Sequence, residues 1–268
     1  MPLPAAMLKR ARDFAGTPAP ARPAATVVLL RPDEKAFDVY VLRRASTMVF
    51  GGVYAFPGGG VDRGDRPQTI KQDWPERLGV PEAEAKAIVG AAARELFEEA
   101  GILLAGPAAV VAPGDEARPP AAVAAGGGLV GDLSGADWEA DRVAVQRREL
   151  TMTDLLARRG LRLRDDLLLP WARWITPEFE PKRFDTWFFV AVLPPAQTAR
   201  DVSGEADRTT WISPADANGL TMLPPTRVML SDLCAYQSIT EVWKAERDAA
   251  APVMPRVELT EDGGILVI

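Results

Sequence analysis

The stretch RELFEEAG, Arg94 to Gly101, decides how the rest of the chain is read. On a 3.6-residue period Glu95, Glu98 and Glu99 fall within an arc of about 100° at the C-terminal end of a helix. Like charges three and four apart repel, at about 0.2–0.5 kcal/mol per pair. The helix dipole also disfavours acidic groups at this end. Nothing in helix stability recommends the arrangement, so the glutamates need another reason to be there. The helix itself is well marked. It runs from Pro81 or Glu82 to Ala100, and Gly101 is placed as a left-handed cap. Val89, Ala93, Leu96, Phe97 and Ala100 recur at helical spacing and form an apolar face pointing away from the glutamates. The expectation is an amphipathic helix with the core on one side and an exposed carboxylate cluster on the other.

The whole chain limits what those carboxylates can do. Its 268 residues, 47% of them hydrophobic, suit one large or two small globular domains. A net charge of −6 argues against a general nucleic-acid binder, which needs a basic surface. The sequence contains no histidine, so the commonest general base and transition-metal ligand are missing. Any metal site must be made of oxygen ligands, which points to Mg²⁺ or Mn²⁺. The one cysteine, Cys234, reads as a free buried thiol in a reducing compartment. No apolar run approaches the roughly 18 residues of a membrane span, and the first 25 residues lack the apolar core of a secretory signal. A cytoplasmic location is expected, with no membrane partner.

Along the chain, a helix near Ala5–Phe14 and a Pro/Ala linker occupy residues 1–23, and a single domain spans 24–268. Strands are expected at 25–30, 37–44, 102–106, 167–175, 186–193, 209–213 and 264–268. Residues 66–81 read as an irregular excursion with one helical turn, and 105–135, rich in Ala, Gly and Pro, as a surface loop. Helices are expected at about 136–159, at 213–217 behind a Ser213 cap, and at 224–248. The fold class is α+β, a mixed sheet with helices, carrying insertions at about 66–81 and 105–165 and a C-terminal helical extension.

Carboxylates that destabilise their own helix need a partner, and a hard divalent cation is the natural one. Arg94 stands beside them to orient a carboxylate. The glycine-rich GGVYAFPGGGVDRGD (51–65) permits close backbone approach, so a carbonyl of Gly58 or Gly59 is a candidate further ligand.

These two pieces resemble the Nudix hydrolase signature, G-x5-E-x7-R-E-U-x-E-E-x-G-U, where U is bulky and apolar. Arg94, Glu95, Leu96, Glu98, Glu99, Gly101 and Ile102 match its second half, and Gly59 with Asp65 its first, with Asp for the usual Glu. The spacing departs: 28 residues, 66 to 93, separate Asp65 from Arg94 where seven are expected. An insertion inside the signature is similar to a subgroup related to the peroxisomal coenzyme A diphosphatases of animals. LRR (42–44) before FPGG (56–59), WITP (174–177), RFDTWFFVA (183–191) and LPPT (223–226) add to that likeness. In the upstream motif of better-known CoA-cleaving members, Arg43 and Gly52 fit, whereas Arg44 and Met48 depart.

The resemblance implies a mixed sheet between helices and Mg²⁺- or Mn²⁺-dependent attack of water on a diphosphate. It implies metal ligation by Glu98, Glu99 and Gly58, with Glu95 as ligand or general base, and Arg94 among the catalytic groups. Glu205 is a second base or ligand, or else a solvated loop residue. Arg43, Arg44 and Arg183 would hold phosphates beside Gly59 and Gly60. The implied substrate is a small nucleoside diphosphate derivative. With CoA or acyl-CoA the products would be adenosine 3′,5′-bisphosphate and 4′-phosphopantetheine or its acyl form. Nucleotide sugars, ADP-ribose, NADH and dinucleoside compounds are alternatives, as is a sensor that binds without hydrolysis. A homodimer is the commonest arrangement generally, but the sequence leaves the oligomeric state open.

Overall fold

The computed structural model describes residues 5–34, 36–46, 51–108, 128–202, 204, 206–260 and 263–268. One mixed sheet contains β1 (Ala21–Pro32), β2 (Phe37–Arg44), β3 (Tyr54–Ala55), β4 (Gly58–Gly60), β7 (Leu169–Ile175), β8 (Arg183–Val192), β9 (Ala206–Ile212) and β10 (Pro252–Val253). β5 (Ala105–Pro107) and β6 (Leu161–Leu163) form a separate pair, as do β11 (Arg256–Thr260) and β12 (Gly263–Val267). β1 is central. It runs parallel to β8 from Ala21 opposite Arg183 to Leu30 opposite Val192. Its other edge pairs antiparallel with β4 at Ala24–Thr26 and with β2 at Leu30–Pro32.

Strand alternation sends successive side chains to opposite faces. Ala25, Val27, Leu29, Tyr40, Trp187 and Phe189 join one core, and Val28, Leu30, Val39, Val41, Phe188 and Val190 join the other. Both faces are covered, which is why these strands read as nearly unbroken apolar runs. On the first face α3 (Glu82–Ala100) lies across β1 and β4, with α2 (Trp74–Leu78), α4 (Ala136–Gln146) and α5 (Met152–Arg158) around it. On the second, α6 (Pro224–Leu233) and α7 (Ile239–Trp243) supply Met229, Leu230, Leu233, Ile239, Val242 and Trp243. Helices on both sides of a mixed sheet are the architecture expected.

α3 runs between the limits read from the sequence, and Gly101 ends it at φ 68° with its N–H donated to Phe97. Its surroundings differ from expectation. From Ile88 to Ala100 every residue is buried, including Arg94, Glu95, Glu98 and Glu99. The carboxylate arc is therefore not an exposed face: β4, the segment after it, and residues 142–148 cover it. Gly90 permits part of this cover. A Cβ there would stand 2.9 Å from Pro67 Cδ and 3.0 Å from the Asp65 carbonyl carbon. In an isolated helix Gly→Ala would gain about 1 kcal/mol. Here the obstacle includes backbone, so Gly90→Ala is expected to cost about 1–3 kcal/mol. Urea denaturation checks the sign; a stabilised variant would mean that segment 65–67 yields easily.

Residues 66–81 form the expected irregular excursion with one helical turn, α2, and it is pinned to the core. Trp74 and Leu78 are fully buried, and Trp187 Nε1 donates to the Leu78 carbonyl at 3.2 Å. Asp165 Oδ2 accepts from Lys71 N and Trp74 Nε1, both at 2.7 Å, tying the insertion to the turn before β7. Burial raises the Asp165 carboxyl above its ordinary value despite these bonds. A raised folded-state pKa means that the folded chain binds more protons, so this group's contribution falls as pH rises above the unfolded carboxylate range. Asparagine keeps both bonds accepted and carries no charge. Asp165→Asn is expected to gain stability over the unaltered chain as pH rises from 4 through the raised value, about 4 being the unfolded pKa. Parallel pH–Tm curves would show that burial exerts no such effect.

Other expectations are corrected by local chemistry. The helix at 136–159 is two helices, because Arg148 takes φ 62° and Thr151 starts α5 by accepting from Asp154 N. The helix at 224–248 breaks likewise where Ser238 accepts from Glu241 N and opens α7. Residues 214–219 form a 3-10 turn without a Ser213 side-chain cap. The strand at 102–106 begins only at Ala105, and the 23/24 domain boundary falls inside β1, which starts at Ala21. Cys234 is exposed, not buried. Most of the loop read at 105–135 lies outside the described residues. Among the described residues no helix is long and apolar enough to cross a membrane.

Candidate active site

The site forms where the C-terminal half of α3 meets the glycine strand. Gly59 pairs with Ala25 and shares its face of the sheet, and a Cβ on Gly59 would lie 2.5 Å from Glu95 Oε1. Only glycine lets this strand touch the carboxylate. Gly58 N donates to Glu99 Oε2 at 2.9 Å. Arg94 organises the rest. Its guanidinium forks onto Asp65, Nε to Oδ1 at 2.7 Å and Nη2 to Oδ2 at 3.0 Å. Nη2 also donates to the Gly60 carbonyl at 2.8 Å, and Nη1 to Glu95 Oε1 at 2.6 Å and Glu98 Oε1 at 3.2 Å. Burial alone would lower Arg94, but Asp65, Glu95 and Glu98 hold it firmly protonated.

Burial pushes the Glu95 carboxyl up to about 7, with Arg94 opposing and Glu98 adding to the rise. Burial likewise raises Asp65 above its usual range in spite of Arg94. Desolvation therefore outweighs pairing: the pocket holds more carboxylate than its arginines compensate.

Of the residues read from the sequence, the structure brings Arg94, Glu95, Glu98, Glu99, Gly58, Gly59 and Gly60 together, and returns Asp65 to them across the insertion. Arg44 shares a sheet face with Tyr40 and hence with α3. Arg43 points to the opposite face and pairs with Asp207 at 2.6 Å. Arg183 is elsewhere, donating to the carbonyls of Thr176 and Ala19 at 3.0 and 2.8 Å. Neither joins the glutamates, because each strand position had a nearer partner. Glu205 and Met48 lie outside the described residues.

Two residues were missed. Arg142, buried, donates to the Glu98 carbonyl at 3.0 Å and steadies the end of α3. Arg148 Nη1 donates to Glu98 Oε1 at 2.6 Å, and its Nε pairs with Asp62. Among the described residues Arg148 alone, apart from glycines, has positive φ, at a backbone cost of about 1–2 kcal/mol. No spacing rule links it to α3, so nothing in the sequence marked it.

The donors suit a hard divalent cation: they are oxygens only, carboxylate-rich, and short of positive charge. As they stand, no three acidic side chains among the described residues are grouped to hold one. Arg94 and Arg148 take up oxygens that a cation would use.

This fold, with its glutamate helix set against a glycine strand, is that of the Nudix hydrolases. The chain aligns with a Nudix hydrolase structure from Alicyclobacillus acidocaldarius at a TM-score of 0.65 and 25% identity, covering 86% of this chain and 99% of that one. A Nudix hydrolase from M. smegmatis aligns more loosely, at a TM-score of 0.39 and 15% identity over 80% of this chain and 84% of that one. In sequence, the chain is 31% identical over 186 residues to an acyl-coenzyme A diphosphatase from Gallus gallus, covering 65% of this chain. It spans about half, 47%, of that relative's length. No protein-family profile matches the chain.

Proposed function

We propose that the chain is a divalent-metal-dependent hydrolase of a nucleoside diphosphate derivative, and that its substrate is the diphosphate of CoA or an acyl-CoA. The observation that carries the reading is the buried set Asp65, Glu95, Glu98 and Glu99, held around Arg94 against β4. Such a set is costly unless a cation completes it. The likeness to an acyl-coenzyme A diphosphatase supports the substrate. Glu98 and Glu99 would hold the cation, Mg²⁺ or Mn²⁺, with Glu95 and the Gly58 carbonyl adjacent. Bound there, it would neutralise phosphate charge and lower the pKa of the attacking water. Arg94 fixes the carboxylates, and Gly59 and Gly60 leave the backbone open to the diphosphate. Arg44 stands on the same sheet face as a phosphate partner.

The test offers the purified chain CoA, acetyl-CoA, NADH, ADP-ribose and UDP-glucose with Mg²⁺ or Mn²⁺ and analyses the products. Adenosine 3′,5′-bisphosphate released from CoA supports the full reading. Turnover of a different diphosphate keeps the hydrolase and removes the CoA assignment. Tight binding without turnover identifies a sensor.

A further inference from the structure

We propose that Arg148 is the built-in counter-cation of the glutamate site, displaced from Glu98 when a divalent cation binds and then free to hold the diphosphate. The inference rests on the metal-dependent reading above and adds how the site passes from its closed charge network to a loaded one.

The two arginines on Glu98 are not equivalent, although both donate to the same oxygen, Oε1. The Arg94 side chain is 3% exposed and anchored by Asp65, Glu95 and the Gly60 carbonyl. The Arg148 side chain is 49% exposed, whereas the Glu98 side chain it covers is 7% exposed. Arg148 thus lies at the solvent side of a buried carboxylate, where a cation from solution must arrive. Its other partners are Asp62, a side chain 41% exposed, and the Val145 and Gln146 carbonyls at 3.3 Å. A divalent cation at Glu98 would repel a guanidinium at contact distance and compete for the same oxygen. A diphosphate offers the released fork a matching bidentate partner.

The backbone supports a role for this side chain. Arg148 ends α4 in the left-handed region, with Glu149 N and Leu150 N both donating to the Ala144 carbonyl. Glycine is the usual residue at such a helix end. The arginine returns only two long bonds to the turn, from Nη1 to the Val145 and Gln146 carbonyls at 3.3 Å, and makes its short ones to Glu98 and Asp62.

The experiment compares the unaltered chain with Arg148→Gly and Arg148→Lys. Free Mn²⁺ is followed by electron paramagnetic resonance, and binding of methylenediphosphonate at saturating Mn²⁺ by calorimetry. Arg148→Gly should bind Mn²⁺ about tenfold more tightly, because a competing cation is gone. It should bind the diphosphonate about tenfold or more weakly, because the phosphate fork is gone. Its Tm should equal or exceed that of the unaltered chain, and Arg148→Lys should fall between on both affinities. Opposite shifts of the two affinities exclude a merely structural role, which would weaken both together. Unchanged or weaker Mn²⁺ binding by Arg148→Gly, or unchanged diphosphonate affinity, overturns the proposal while leaving the metal-dependent reading intact. No Mn²⁺ binding by the unaltered chain overturns that reading, and the proposal with it.

Discussion

Arg94→Met lowers the unfolding free energy by about 3–5 kcal/mol, the expected result of removing one partner from a buried charge network. The methionine fills much of the same volume but leaves Asp65, Glu95 and Glu98 facing one another away from water. Asp65 is the worst placed, 1% exposed and deprived of both forked bonds. Asp65→Asn added to Arg94→Met should therefore recover part of the loss, although Asp65→Asn alone is destabilising. Such coupling is the signature of residues acting in one network. The sign with pH also follows. Without the arginine the folded-state pKa values of Asp65 and Glu95 rise further, so the variant's deficit is largest above them and shrinks as pH falls. Urea denaturation of the four chains at two pH values checks both claims. A loss below about 1 kcal/mol, the range of exposed pairs, would mean that water reaches the carboxylates and the pocket is not closed.

Glu99→Gln is expected to remove turnover by about 10²–10³-fold while leaving the fold in place, the range seen when one charge-stabilising group leaves a reaction centre. Glutamine retains a carbonyl oxygen to accept the Gly58 N–H that Glu99 Oε2 now accepts at 2.9 Å. Stability should fall far less than turnover, because this hydrogen bond is kept. On the proposed reading the cation does need the lost charge. Steady-state rates at several Mn²⁺ concentrations, beside a melting curve, separate the two effects. A variant that melts normally and still turns over at the unaltered rate would remove Glu99 from the site.

The sequence by itself determined the elements whose causes are local. α3 and its Gly101 cap follow from composition, spacing and one left-handed glycine. The central strands follow from apolar runs long enough to be covered on two faces. The glutamates and Arg94 were likewise legible as candidates, because repulsion within a helix turn is visible without a fold; the glycine-rich stretch was legible by composition, but not its pairing with β1 as strand β4. Two local signals went unread: Thr151 and Ser238, each three residues before an acidic residue, mark the helix starts that divide 136–159 and 224–248.

Only the tertiary structure decided what surrounds the carboxylates. α3 looks amphipathic in one dimension, yet β4, Asp65 and residues 142–148 close over its polar arc and turn an expected exposed cluster into a buried one. Asp65 returns to Arg94 because Gly90 lets the insertion lie on the helix, a contact between chain segments that no spacing rule encodes. Arg43 and Arg183 were equally plausible phosphate arms by sequence, but strand alternation and nearer carbonyl or carboxylate partners took them elsewhere. Arg148 reached Glu98 instead, across 50 positions of chain. The physical reason is common to these cases. Helix limits depend on neighbours within a turn, whereas burial and charge pairing depend on which distant segments the packed core brings into contact.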